Sequence, residues 1–170
     1  MSNVTRQLAR WRVPLGYALG GVALWLAQPT PRSLAIGAGV GAVGEALRIW
    51  AAGHLEKGRE VTNTGPYAIT RHPLYAGATI RGAGLAIAAN SLPVAVLVFA
   101  YLAITITAAV RSEEAHLTDK FGGHYPDYRE GRAAAGTRQF SMERAMRNKE
   151  YRAFLGFLAV LALLAARAYF

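Results

Sequence analysis

The sequence predicts an all-α integral membrane protein with five transmembrane helices, and three observations carry that prediction. The 170-residue chain is 53% hydrophobic and only 17% charged. Its apolar residues gather into five runs long enough, or nearly so, to cross a bilayer, which takes about 20 residues. Its basic residues fall between those runs and mostly on one side, as the positive-inside rule requires. The runs are apolar on all faces rather than along one stripe, which a soluble bundle would not be.

The spans are expected at about 11–28, 34–52, 74–90, 92–110 and 153–169. The first ends before Pro29 and Pro31, which cannot continue a helix ladder. The third and fourth are joined by the short turn Asn90-Ser91-Leu92-Pro93. Gly16 with Gly20, and Gly37 with Gly41, make small-xxx-small faces on which helix backbones can approach closely. Fifteen of the nineteen basic residues lie on one side if the N-terminus is cytoplasmic. Two polar segments, 53–73 and 111–152, then share that side, the second with interfacial helices. A single domain over residues 1–170 is expected, in a prokaryotic inner membrane. The first apolar run lacks an A-x-A-like site, so it does not read as a cleavable signal peptide.

Charge and composition narrow the function classes. The net charge of +9 would point to nucleic acid in a soluble chain. With the basic residues segregated between apolar runs it fits an anionic lipid surface instead, so membrane lipids and no nucleic acid are expected as partners. The absence of cysteine excludes disulfides, thiolate metal sites and a cysteine nucleophile. The four histidines make no H-x-x-x-H or H-E-x-x-H pattern, so no metal is expected. No serine sits in a G-x-S-x-G elbow, and no glycine-rich loop cradles phosphate.

Ionisable residues within spans are costly and draw attention to function. Glu45 and Arg48, three positions apart on the second span, share a helix face and are expected to pair. Arg81, inside the third span, needs an anionic partner, for which Glu45, Glu113 or a ligand would serve. Pro73 suits a first helical position, so a helix should begin there, with His72 where the chain leaves water. Glu113 and Glu114, at the border of the fourth span, suit a cationic ligand or a ribose diol, because a carboxylate accepts hydrogen bonds from both hydroxyls. Taken alone, the same pair is better explained by a solvated helix end. Gly82-Ala83-Gly84 is a bare G-x-G, more often a packing feature than a ligand contact.

Together these residues resemble a known family. Gly65-Pro66-Tyr67, then Arg71-His72-Pro73-Leu74-Tyr75, then Glu113-Glu114 followed by Leu117, Phe121-Gly122, Tyr125 and Tyr128, are similar in order and spacing to the isoprenylcysteine carboxyl methyltransferase and phospholipid methyltransferase superfamily. The resemblance runs from about Glu45 to Tyr128. It implies a membrane enzyme that uses S-adenosylmethionine. On it, His72, Pro73, Leu74 and Tyr75 wrap the cofactor, with Tyr67 beside them, and Arg59-Glu60-Val61-Thr62 supplies further contacts through Val61 and Thr62. Glu113 with Glu114 matches the carboxylate that holds the cofactor, and Gly82 and Gly84 match a G-x-G assigned to the same ligand. Arg111 lies near a family arginine linked to a substrate carboxylate, at a different offset from the glutamates. After Tyr128 the family's V-P-R-x-x-P-like stretch is replaced by residues 132–140, which contain no proline.

The implied reaction is methyl transfer to a lipophilic acceptor that enters sideways between spans. A carboxylate acceptor would want Arg81 or Arg111 nearby, and an amine acceptor would need Glu45 or His72 to take its proton. Two other classes compete. A small transporter subunit or lipid-binding scaffold would explain the charged residues within spans, but not the paired motifs. A sterol-reductase-like enzyme would want a nicotinamide cofactor and more spans.

Overall fold

The computed structural model describes residues 16–56, 62–121 and 136–169, with 116–121 described by their backbone only. Val61, Arg59-Glu60, Gly122 to Tyr128 and Arg132 to Ala135 lie outside the described residues. The helices are α1 (Gly16–Leu26), α2 (Pro31–His54), α3 (Pro73–Ala89), α4 (Leu92–Phe121), α5 (Met142–Arg147) and α6 (Glu150–Tyr169), with one 3₁₀ turn, Gly65–Ala68, between α2 and α3. No strand is present among the described residues.

Each helix starts and stops where local chemistry directs. At the start of α2, Thr30 and Ser33 form a reciprocal capping box, with Pro31 in the first turn. Helix α3 opens on Pro73 as expected. It closes on Asn90, whose φ of 49° is a left-handed cap that a short polar side chain tolerates. Helix α4 does not end with its apolar run. It continues without a break to Phe121, 30 residues in all, or about 45 Å, so its last turns carry Glu113 and Glu114 beyond the apolar section.

Three helices among the described residues are long and apolar enough to span a membrane: α2, Leu92–Ala115 of α4, and α6. The second, fourth and fifth of the five expected spans are therefore met by length and composition. Helix α3 has 17 residues and carries Arg81 in its interior, and α1 is described only from Gly16 onward. Most of the α4 and α6 side chains face outward, with just 6% and 11% of their apolar windows buried, the pattern of surfaces that meet lipid rather than a protein core.

The α2–α3 pair is the most extensive helix contact, and small residues make it possible. A Cβ on Gly84 would sit 2.3 Å from the Gly41 nitrogen, and one on Gly44 would sit 2.4 Å from the Arg81 nitrogen. The backbones touch, so dispersion contacts run along the whole crossing. Gly37 takes part as expected, against Gly84 and Ala88. Gly16 meets the Tyr101 hydroxyl, whereas Gly20 has open space around it, so that half of the expected α1 face is not used for close packing among the described residues.

At the end where α1, α3 and α6 meet, Ala27, Ala88, Ala89, Val94 and Leu164 form the buried core. There Arg167 donates to the carbonyls of Trp25 in the last turn of α1 and Ala27 just past it. The opposite end is polar. Residues 136–148 fold over the C-terminus of α2 and satisfy its last carbonyls: Asn148 Nδ2 donates to Ala52 and Leu55, Arg144 to Gly53, and Arg138 to His54. Arg144 also pairs with Glu56 at 2.8 Å. The described part of the proline-free stretch, residues 136–140, lies here, with Phe140 against Gly53 and His54.

Candidate functional site at the polar end of the bundle

The corner between α2 and α3 is built on a few fixed residues. Gly65 has φ +56°, and a Cβ there would lie 2.6 Å from the His54 ring, so both conformation and space call for glycine. Thr64 lies 3.1 Å from His54 Nδ1 through its hydroxyl, Thr62 accepts from the Glu56 amide, and Pro66 and Tyr67 are buried beneath the turn. Pro73, fully buried at the first position of α3, fixes the helix direction. His72, which precedes it, makes no capping bond with its side chain, leaving the ring to face elsewhere.

It faces α4. His72 Nε2 lies 3.2 Å from Glu114 Oε1, and the Tyr75 hydroxyl donates to Glu113 Oε2 at 2.9 Å. His72 at the cap and Tyr75 in the first turn of α3 lie three positions apart, while Glu113 and Glu114 diverge by about 100° on α4, so each carboxylate has its own partner. The His72 and Tyr75 rings lie side by side with centroids 5.8 Å apart. Two motifs about forty positions apart in sequence thus form one polar cluster, half-exposed at the end of the bundle. Glu113 Oε1 makes no hydrogen bond among the described residues, so this cluster keeps acceptor capacity for a ligand.

The charged groups within the bundle pair across helices, one as expected and one not. Arg81 donates from Nη1 to Glu45 Oε2 at 2.8 Å, which selects Glu45 from its possible partners. Arg48 does not pair with Glu45. Its Nε donates to Glu150 Oε1 at 2.6 Å. A shared helix face gives only proximity, and Arg81 from the neighbouring helix reaches Glu45 in better geometry. Glu45 is 2% exposed, and its Oε1 is the single buried side-chain polar atom without a partner among the described residues.

Arg81 also borders a cleft of about 220 Å³ between α1, α3 and α4. Its walls are apolar, with Leu19, Ala23, Leu85, Val98 and Leu102 prominent, and Arg81 and the Tyr101 hydroxyl are its polar groups. Sequence reasoning did not single out Tyr101, because a tyrosine within an apolar run carries no spacing signal of its own.

Other expected site residues are placed elsewhere. Gly82 and Gly84 lie on opposite faces of α3, about 200° apart. Gly82 is packed by Leu102 of α4 and Gly84 by Gly37 and Gly41 of α2. They are therefore not gathered at one ligand, and helix crossing accounts for both. Arg111 is exposed on α4 and does not border the cleft. Leu74 contributes its carbonyl, which accepts from Arg48 at 3.1 Å. Among the described residues, no three His, Asp or Glu side chains are grouped to hold a metal ion.

Comparison with known proteins adds to this geometry. The family model described as phospholipid methyltransferase matches residues 11–124. The chain is also 32% identical over 83 residues to the nickel-cobalt-cadmium resistance protein NccN of Alcaligenes xylosoxydans xylosoxydans. That match takes in 48% of this chain and spans only 38% of the relative's length. No solved structure matches.

Proposed function

Because the chain belongs to the phospholipid methyltransferase family, an integral-membrane family of methyltransferases, we propose that it transfers the methyl group of S-adenosylmethionine to a lipophilic acceptor at the membrane. The observation that carries this reading is the meeting of the two motifs: His72 with Glu114, and Tyr75 with Glu113. The cluster's chemistry fits the cofactor. Carboxylates suit a ribose diol and a cationic amine, and aromatic rings beside them suit a flat base and a sulfonium. Thr62 and Tyr67 close the cofactor side, as does Val61 on the resemblance.

When bound, the cofactor supplies a methyl on a positively charged sulfur, which passes to the acceptor by in-line displacement. Positioning and exclusion of water are what the protein contributes, and these alone supply several kcal/mol. The cleft beside Arg81 gives an apolar acceptor a place to lie. One guanidinium nitrogen of Arg81 is held by Glu45, so its other donors are available to a carboxylate head such as that of an isoprenylcysteine-like acceptor. For an amine acceptor, Glu45 behind Arg81, or His72, would take the proton. In this reading α1 and α3 complete five spans within one domain, the N-terminus is cytoplasmic, and the motif end of the bundle faces the cytoplasm of a prokaryotic cell. A water-soluble cofactor then arrives on one side and a lipid acceptor through the bilayer.

The test uses tritium-labelled S-adenosylmethionine with detergent-solubilised protein and host membrane extract. Retention of label by the protein, and tritium moving into the lipophilic fraction, is expected. Absence of both would overturn the reading in favour of a non-enzymatic membrane protein.

A further inference from the structure

One buried ion pair is used neither by the family resemblance nor by the proposed site: Arg48 and Glu150. Their side chains are 16% and 8% exposed, and the pair joins the middle of the polar half of α2 to the first residue of α6. The chain reaches Glu150 through Lys149, held at φ 61°, which turns α6 so that its first carboxylate points inward. Arg48 does not stop at this pair. Its Nη1 donates to the Leu74 carbonyl at 3.1 Å, in the first turn of α3 and between the two residues, His72 and Tyr75, that meet the α4 carboxylates. Gly77 makes room for this reach, since a Cβ there would lie 2.7 Å from Arg48 Cγ.

We propose that Arg48 and Glu150 are positioning residues for the cofactor cluster, setting the height and rotation of the first turn of α3 from the start of the C-terminal helix. Glu150 fixes one nitrogen of the planar guanidinium, and the fixed plane aims another at Leu74. A lysine carries the same charge but as a compact point on a flexible stem, and cannot hold both partners in one plane. The inference rests on the methyltransferase reading, and its test separates the two.

S-adenosylhomocysteine is titrated calorimetrically into wild-type protein, Arg48→Lys and Glu150→Gln, each taken as the monodisperse fraction in detergent, with thermal unfolding followed in parallel. Both variants are expected to bind about tenfold more weakly, the size of losing one hydrogen bond from a charged donor. A lowered unfolding temperature with wild-type affinity in either variant would overturn the proposal, because the pair would then only hold the bundle together. If one variant yields no folded fraction, the other decides. Failure of the wild type itself to bind would instead sink the methyltransferase reading.

Discussion

Replacing Arg81 with methionine is expected to abolish methyl transfer and to destabilise the bundle by about 3–5 kcal/mol, because a buried carboxylate loses its counter-charge. Glu45 is 2% exposed and already has one oxygen without a partner, so removing Arg81 takes away the guanidinium that holds its other oxygen. The double variant Arg81→Met with Glu45→Met removes both charges and leaves apolar groups of similar volume. It should recover most of the lost stability while transfer of tritium from labelled cofactor stays absent. Thermal unfolding in detergent, run beside the transfer assay, reads both. A double variant that is stable and active would reduce the pair to scaffolding.

The second large effect is expected at Gly84. A Cβ at this position would lie 2.3 Å from the Gly41 nitrogen and 2.6 Å from the Gly37 carbonyl oxygen, and both obstacles are backbone. Gly84→Leu must therefore push α2 and α3 apart along their whole crossing, at a cost above about 3 kcal/mol, since neither side can repack by changing rotamer. Loss of the monodisperse peak on size-exclusion chromatography is the expected result. Gly20→Ala is the control, as nothing lies within 4 Å of its added carbon, and its unfolding temperature should be no lower than that of the wild type, since alanine also favours the helix. Equal stability of the Gly84 variant would show that the crossing is not tightly held.

These two positions also mark what could be read from the sequence. The small-residue spacing of Gly37 and Gly41 encodes a close crossing, because backbone approach depends on side-chain volume, a local property. Likewise Pro73 announces the start of α3 by its fixed φ and missing donor. The resemblance brought Glu113 and Glu114 together with His72 and Tyr75 before their contacts were known, as order and spacing over one hairpin constrain which motifs can meet. Partner choice among the charges was not legible in this way. Glu45 and Arg48 are neighbours on a helix, yet Arg81 and Glu150 win them, because pairing depends on how three helices cross. Gly82 and Gly84 were ambiguous for a related reason: a short G-x-G has no fixed meaning until its helix has neighbours on both faces. Three of the five expected spans carry the length and composition to cross a membrane, and α3 is kept to 17 residues by the turn that starts it and the Asn90 cap that ends it.

The proposed seat of S-adenosylmethionine between the α3 corner and the α4 carboxylates is tested by isothermal titration of S-adenosylhomocysteine into Glu113→Ala. Tyr75 keeps its ring in this variant but loses its carboxylate partner across the cluster. With a charge-assisted contact to the ligand removed, affinity should fall by about tenfold or more, while the unfolding temperature stays near that of the wild type, since the position is partly exposed. Affinity equal to the wild type would contradict the account.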